Sequence, residues 1–169
     1  RPSCKYARII RRCEVVRMNV RDICHRQVST LARGDNALDA ARLMRDEHVG
    51  CVVVVDAGAA GPVPVGVVTD RDIVVAVTAL DLAPEEVTLA DIMGAELHVI
   101  KHDDGLSDAL EVMRTRGIRR LPVIDDDGVL DGIVSADDIL AMLADEVSSL
   151  ASLVAREQRR ERERRRIKV

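Results

Sequence analysis

Two stretches of the chain end a short apolar run with a hydroxyl residue, followed three positions later by a carboxylate. They are GVVTDRDIV at 66–74, with Thr69 and Asp72, and GIVSADDIL at 132–140, with Ser135 and Asp138. At a helix start this spacing makes a capping box. The hydroxyl accepts from the N3 backbone N–H, and the N3 carboxylate accepts from the N-cap N–H. Such a cap contributes about 1 kcal/mol of local stability. The same geometry suits a nucleotide. Free N–H groups at a helix N-terminus attract phosphate, and the hydroxyl adds a donor. A carboxylate one turn along can accept both hydrogen bonds of a vicinal ribose diol, as the acidic residue of dinucleotide-binding folds does. The two uses are compatible, because a site without ligand can cap itself.

A motif that occurs twice raises the question of what carries it. Displacing the sequence by 69 residues brings Asp22-Ile23 onto Asp91-Ile92, Asp39-Ala40 onto Asp108-Ala109 and Met44-Arg45 onto Met113-Arg114. A loop three residues longer in the first copy, AGAAGPVP at 57–64, changes the offset to 66. Gly66, Val68 and Asp72-Ile73 then meet Gly132, Val134 and Asp138-Ile139. Order preserved across one loop-sized gap marks two copies of a unit, 18–82 and 88–145, joined by a short linker. Periodicity changes alike in both. Apolar residues at helical spacing predict helices over 35–47, with Asp35 as N-cap, and over 106–116. Apolar, largely β-branched runs at 51–55 and 121–124 predict buried strands. A loop, a second strand (65–68, 130–134) and a second helix (70–79, 136–143) follow. A short first strand is expected around 28–31 and 97–100, so each unit reads βαββα, an α/β (α+β) pattern. Pro122 lacks a ladder N–H and is expected at the start or edge of its strand.

The tandem βαββα units, the endings GVVTDRD and GIVSADD and the LPV of the second copy together resemble a pair of CBS domains, the Bateman module. The resemblance covers about 18–145. It implies two repeats packed sheet to sheet with pseudo-two-fold symmetry, with two clefts that take AMP, ADP, ATP or a related adenosyl compound such as NAD(H) or S-adenosylmethionine. It places Thr69 and Ser135 near phosphate or ribose, and Asp72 and Asp138 on the ribose hydroxyls. The first strands, about Ser29–Leu31 and His98–Ile100 and so including Thr30 and Val99, would hold the base. Arg119 and Arg120 match a phosphate-neutralising position in the second copy. The first copy has Gly50 and Cys51 there, leaving Arg71 as its only cation for that role. The expected product is a stand-alone regulatory module that acts on an unknown protein partner or through its own homodimer.

The remaining residues narrow the classes. Met44 and Met113 fall on the core side of their helices. His98 and His102 stand four apart but across a predicted strand and turn, so no helical metal pair is expected, and Asp125-Asp126-Asp127-Gly128 is a turn sequence. Cys51 sits in an apolar strand as a small hydrophobe. No G-x-S-x-G, H-E-x-x-H or P-loop is present, so enzyme activity is not expected. No apolar run approaches a membrane span and no signal-peptide pattern is visible. The four cysteines form no C-x-x-C pair, which fits a reducing cytoplasm. Residues 1–17 and 156–169 each carry a net +5, so a total of −4 leaves −14 on the body. An acidic body confines any polyanion contact to the ends. The basic N-terminal arm at 1–17 is read as either an artefactual extension or a disordered segment. Leu140, Leu143, Val147, Leu150 and Val154 recur every three or four residues, which predicts a long final helix with a solvated charged end, and packing of the stripe on a dimer mate is the alternative. The charged tail at 146–169 could alternatively make the chain a structural or nucleic-acid adaptor. Against that, Tyr6 is the only aromatic residue available to stack a base.

Overall fold

The structure is a computed structural model that describes residues 18–167, with side chains as far as residue 163. The basic N-terminal arm expected at 1–17, and the last two residues of the tail, lie outside the described residues.

Two three-stranded sheets form, with the same internal order. The first contains β1 (Thr30–Ala32), β2 (Cys51–Ala57) and β3 (Pro62–Thr69), and the second β4 (Ile100–Lys101), β5 (Arg120–Ile124) and β6 (Leu130–Ser135). In each, the first strand runs parallel to the middle one and the third antiparallel to it. Even the ladder irregularity repeats, at Val54/Val55 and Val123/Ile124. Helices α1 (Ala37–Glu47), α2 (Asp70–Ala76), α3 (Leu89–Ile92), α4 (Leu106–Arg116) and α5 (Ala136–Ile167) complete the chain. β3 and β6 meet where the two repeats pack. The architecture is the expected pair of βαββα units with a C-terminal helix.

Several boundaries differ from the sequence expectation, each for a local reason. Asn36, not Asp35, caps α1, accepting the Asp39 N–H at 2.9 Å. The Asp35 carboxylate instead accepts the Ala32 N–H at 2.7 Å and so tightens the preceding turn. β3 begins at Pro62, inside the stretch expected as loop. α2 stops at Ala76, and a separate 3-10 turn, Thr78–Leu80, follows. The Asp125 turn forms as expected, with its carboxylate accepting from the Asp127 and Val129 N–H groups.

Pro122 lies in the middle strand of its sheet rather than at an edge. The Val53 N–H, 69 residues earlier, donates to the Ser29 carbonyl at 3.0 Å. Pro122 occupies the same ladder position and has no hydrogen to give. Ile124, two residues on and facing the same side, accepts from His102 at 2.9 Å. The ladder to β4 therefore starts one pair late and is two residues long instead of three.

The cores show how the repeats interlock. Val52, Val54, Val68, Ala40 and Met44 cluster with Leu89, Ile92 and Met93 from the start of the second repeat. Leu121, Val123, Val134, Ala109 and Met113 cluster with Val20, Ile23 and Cys24 from the start of the first. Backbone bonds fix the exchange. The His25 and Ile133 amides and carbonyls bond reciprocally at 2.9 Å, and the Leu89 N–H bonds the Asp35 carbonyl at 2.8 Å. Each crossing segment passes over a strand glycine. A Cβ on Gly132 would stand 2.9 Å from the His25 carbonyl oxygen and 3.0 Å from Cys24 Sγ. Gly132→Ala is therefore expected to lose about 1–3 kcal/mol in urea denaturation. Wild-type stability in that variant would contradict the close approach.

Candidate functional site

Both hydroxyl–carboxylate corners close on themselves. The Asp72 Oδ2 accepts from the Thr69 N–H at 2.8 Å and its hydroxyl at 2.7 Å, while the Thr69 Oγ1 accepts the Asp72 N–H at 3.2 Å. Asp138 and Ser135 repeat this at 2.8, 2.6 and 3.1 Å. One carboxylate oxygen of each acid remains, and there the corners part. Asp72 Oδ1 accepts no hydrogen bond among the described residues. Asp138 Oδ1 meets the His25 Nε2 at 3.0 Å. The offset of 69 places His25 on Gly94, so the second corner carries an imidazole where the first is bare.

Each corner opens into a cleft whose far wall comes from the other repeat. The Thr69 cleft, about 440 Å³, is lined by Val67, Thr69, Arg71 and Asp72 from the first repeat and by residues 96–98 and 117–120 from the second. The Ser135 cleft, about 260 Å³, is lined by Ile133, Ser135 and Asp138 from the second repeat and by residues 27–29 and 48–51 from the first. Left-handed residues at the ends of α1 and α4, His48 (φ 55°) and Gly117 (φ 67°), turn the chain into these walls. The larger cleft lies within the ordinary size range of small-molecule sites, roughly 300–1,000 Å³.

Two expectations are corrected here. Of the segments expected to hold the base, Ser29 and His98 line the clefts, whereas Thr30 and Val99 line neither. In an extended chain adjacent side chains point to opposite faces, so one residue of register exchanges wall for outside. Arg119 and Arg120 were expected at the cleft of their own repeat, apart from Arg71. They instead line the Thr69 cleft together with Arg71, and Arg120 alone also borders the Ser135 cleft. Sequence reasoning also missed His25 and His48 in the Ser135 cleft and Glu96 in the Thr69 cleft. At the repeat offset they stand opposite Gly94, Gly117 and Gln27, so the repeat gives no signal for them.

The electrostatics follow from this placement. Among the described residues, none of the guanidinium groups of Arg71, Arg119 and Arg120 has a carboxylate oxygen within ion-pairing distance. Three such groups around one cleft are set for phosphate, which a guanidinium fork can hold through two parallel hydrogen bonds. α2 is only seven residues long, so the arginines, more than the helix dipole, supply the positive field. Burial pushes the Cys51 thiol up, against Arg120, which lowers it. A thiol so held is not an activated nucleophile. Among the described residues no group of histidine, cysteine and carboxylate side chains is arranged to hold a metal ion.

Partial burial pushes the Asp138 carboxyl up, but the Ser135 and His25 hydrogen bonds together hold it below its usual value. A carboxyl depressed by folding stabilises above its unfolded pKa, and that contribution is lost as pH falls through the folded value. Below about pH 4 the melting temperature of the unsubstituted chain should therefore drop more steeply than that of Asp138→Asn. Parallel curves would show that these bonds carry no linkage.

The CBS domain profile matches residues 20–79 and 89–145. The CBS domain-containing protein YhcV of Bacillus subtilis is 33% identical over 121 residues, covering 72% of this chain and 82% of that one. A protein of Methanopyrus kandleri is 36% identical over 123 residues, covering 73% of this chain; the match spans only 61% of that relative's length. Among solved structures, the CBS domain pair of protein MJ0100, in complex with 5′-methylthioadenosine and S-adenosylmethionine, superposes with a TM-score of 0.65. It covers 76% of this chain and 98% of that one at 24% identity, a likeness of fold.

Proposed function

We propose, because the chain belongs to the CBS domain family, that it is a regulatory module whose two inter-repeat clefts bind adenosyl ligands. The observation that carries this is the Thr69 cleft. It joins three guanidinium groups to an aspartate oxygen, and among the described residues the guanidinium groups have no ion pair and the oxygen accepts no hydrogen bond. The arginines favour ligands with a 5′-phosphate, so AMP, ADP and ATP come first. NAD(H) carries the same adenosine phosphate. S-adenosylmethionine shares the ribose diol but not the phosphate, as do the compounds held by the MJ0100 pair. Asp72 and Asp138 would take the diol, Thr69 and Ser135 the phosphate or ribose, and the extended segments at 27–29 and 96–98 the base.

Because each cleft has walls from both repeats, a ligand that binds one relative orientation of the repeats better than another shifts the population toward it. That shift is the signal, read by a protein partner or by the module's own oligomer. The role is regulatory rather than catalytic, in the cytoplasm. Among the described residues no helix is long and apolar enough to cross a membrane.

The test is a thermal-melt panel with AMP, ADP, ATP, NADH and S-adenosylmethionine. Phosphorylated adenosyl compounds should raise the melting temperature, since a ligand at 100 times its Kd stabilises by about 2.7 kcal/mol. No shift at millimolar concentration from any of them would end the proposal.

The homodimer is assigned to α5. Its stripe stands in solvent, from 48% exposed at Leu143 to 66% at Leu140. A helix with a bare apolar stripe at this spacing gains by pairing. The double substitution Leu143→Glu with Leu150→Glu is expected to turn a dimer into a monomer by light scattering while leaving the melting transition cooperative. A dimer that survives it would place the interface elsewhere.

A further inference from the structure

Arg120 belongs to both clefts at once. Its backbone pairs with Ser135 across the second sheet, while its guanidinium reaches the opposite repeat. A Cβ at Gly50 would stand 3.4 Å from Arg120 Nη2 and 3.6 Å from Asp70 Oδ2. The guanidinium therefore lies directly beside Gly50 of the first repeat. The clefts differ in what else they hold. The Thr69 cleft has Arg71 and Arg119 besides. Asp137 and Gly50 hold the corresponding sequence positions, and of these only Gly50, which has no side chain, lines the Ser135 cleft. Arg120 is the only guanidinium among the described residues lining that cleft, and His25 already engages its aspartate.

We propose that the two clefts compete for the Arg120 guanidinium. A ligand bearing a 5′-phosphate fills the Thr69 cleft first and, by drawing Arg120 to its phosphate, weakens binding of a second phosphorylated ligand beside Ser135. The fork of a guanidinium faces one phosphate at a time. The coupling is reciprocal, because linkage between two binding equilibria must be. It is also charge-specific: adenosine, which has no phosphate, occupies either cleft without claiming Arg120. This inference rests on the adenosyl-binding reading above and adds to it an order of filling and a shared residue.

Calorimetric titration of the full chain tests it. With AMP, the unsubstituted chain should bind in two steps. The second should be about 5- to 100-fold weaker than AMP binding to the Ser135 cleft in Asp72→Ala, where Arg120 is unclaimed. In Arg120→Gln, adding Asp72→Ala should leave the Ser135-cleft affinity unchanged. Arg120→Lys, which keeps the charge and loses the fork, should give a smaller coupling. Adenosine should give none in any variant. A second AMP step equal to the Asp72→Ala value overturns the competition, as does coupling that persists in Arg120→Gln or with adenosine. If AMP and every other adenosyl compound fail to bind, the functional reading itself falls and this inference with it. Binding without coupling removes this inference alone.

Discussion

Asp72→Ala is expected to weaken AMP binding at the Thr69 cleft by about 10- to 100-fold, as loss of a hydrogen bond to a charged group does. The melting shift from that cleft should shrink accordingly at AMP concentrations that saturate the unsubstituted chain. The same substitution removes the acceptor for the Thr69 N–H and hydroxyl. The unliganded variant should therefore melt lower, by the equivalent of about 1 kcal/mol. The two effects separate cleanly. A protein that uses Asp72 only as a helix cap shows the lower melting point and an unchanged AMP isotherm. Asp138→Ala should affect the other cleft less, because His25 already competes for that carboxylate.

The largest stability effect is expected at Leu121→Ala. Leu121 is fully buried, paired with Val134 across the sheet and packed among residues from both ends of the chain. Leucine truncation in such a core costs about 2–5 kcal/mol, or roughly 5–20 °C in melting temperature for a chain of this size. Urea unfolding followed by circular dichroism would measure it. A loss below about 1 kcal/mol would mean that the surrounding valines collapse into the gap.

Much of this fold is legible in the sequence because a repeat states its pattern twice. Strands β2 and β5, helices α1 and α4 and the long final helix follow from apolar spacing, and the two corners follow from their matching endings. What stayed hidden lies at right angles to the chain. Periodicity along the sequence does not encode which repeat's wall faces which corner, so Arg119 was expected at the other cleft and Arg120 at only one of the two it borders. Nor can it fix register in strands of two or three residues, where Thr30 and Ser29, or Val99 and His98, differ by one step. The His25 contact with Asp138 joins residues 113 positions apart. The one advance notice of the crossing segments was glycine at 66 and 132, where a strand interior without a side chain marks the close passage of another backbone.

The exchange of opening segments makes covalent order and packing order disagree. A fragment cut at the linker would lack Val20, Ile23 and Cys24 beneath its own sheet, or Leu89, Ile92 and Met93 beneath the other. Neither half is thus a complete folding unit, and the pair should melt in one cooperative transition despite its internal repetition. Closing the loop between His25 and Ile133 within one chain depends on the high effective concentration that tethering gives. At high protein concentration a neighbouring chain can offer the same segment. The geometry that builds each cleft from both repeats therefore also supplies a route for two chains to trade halves.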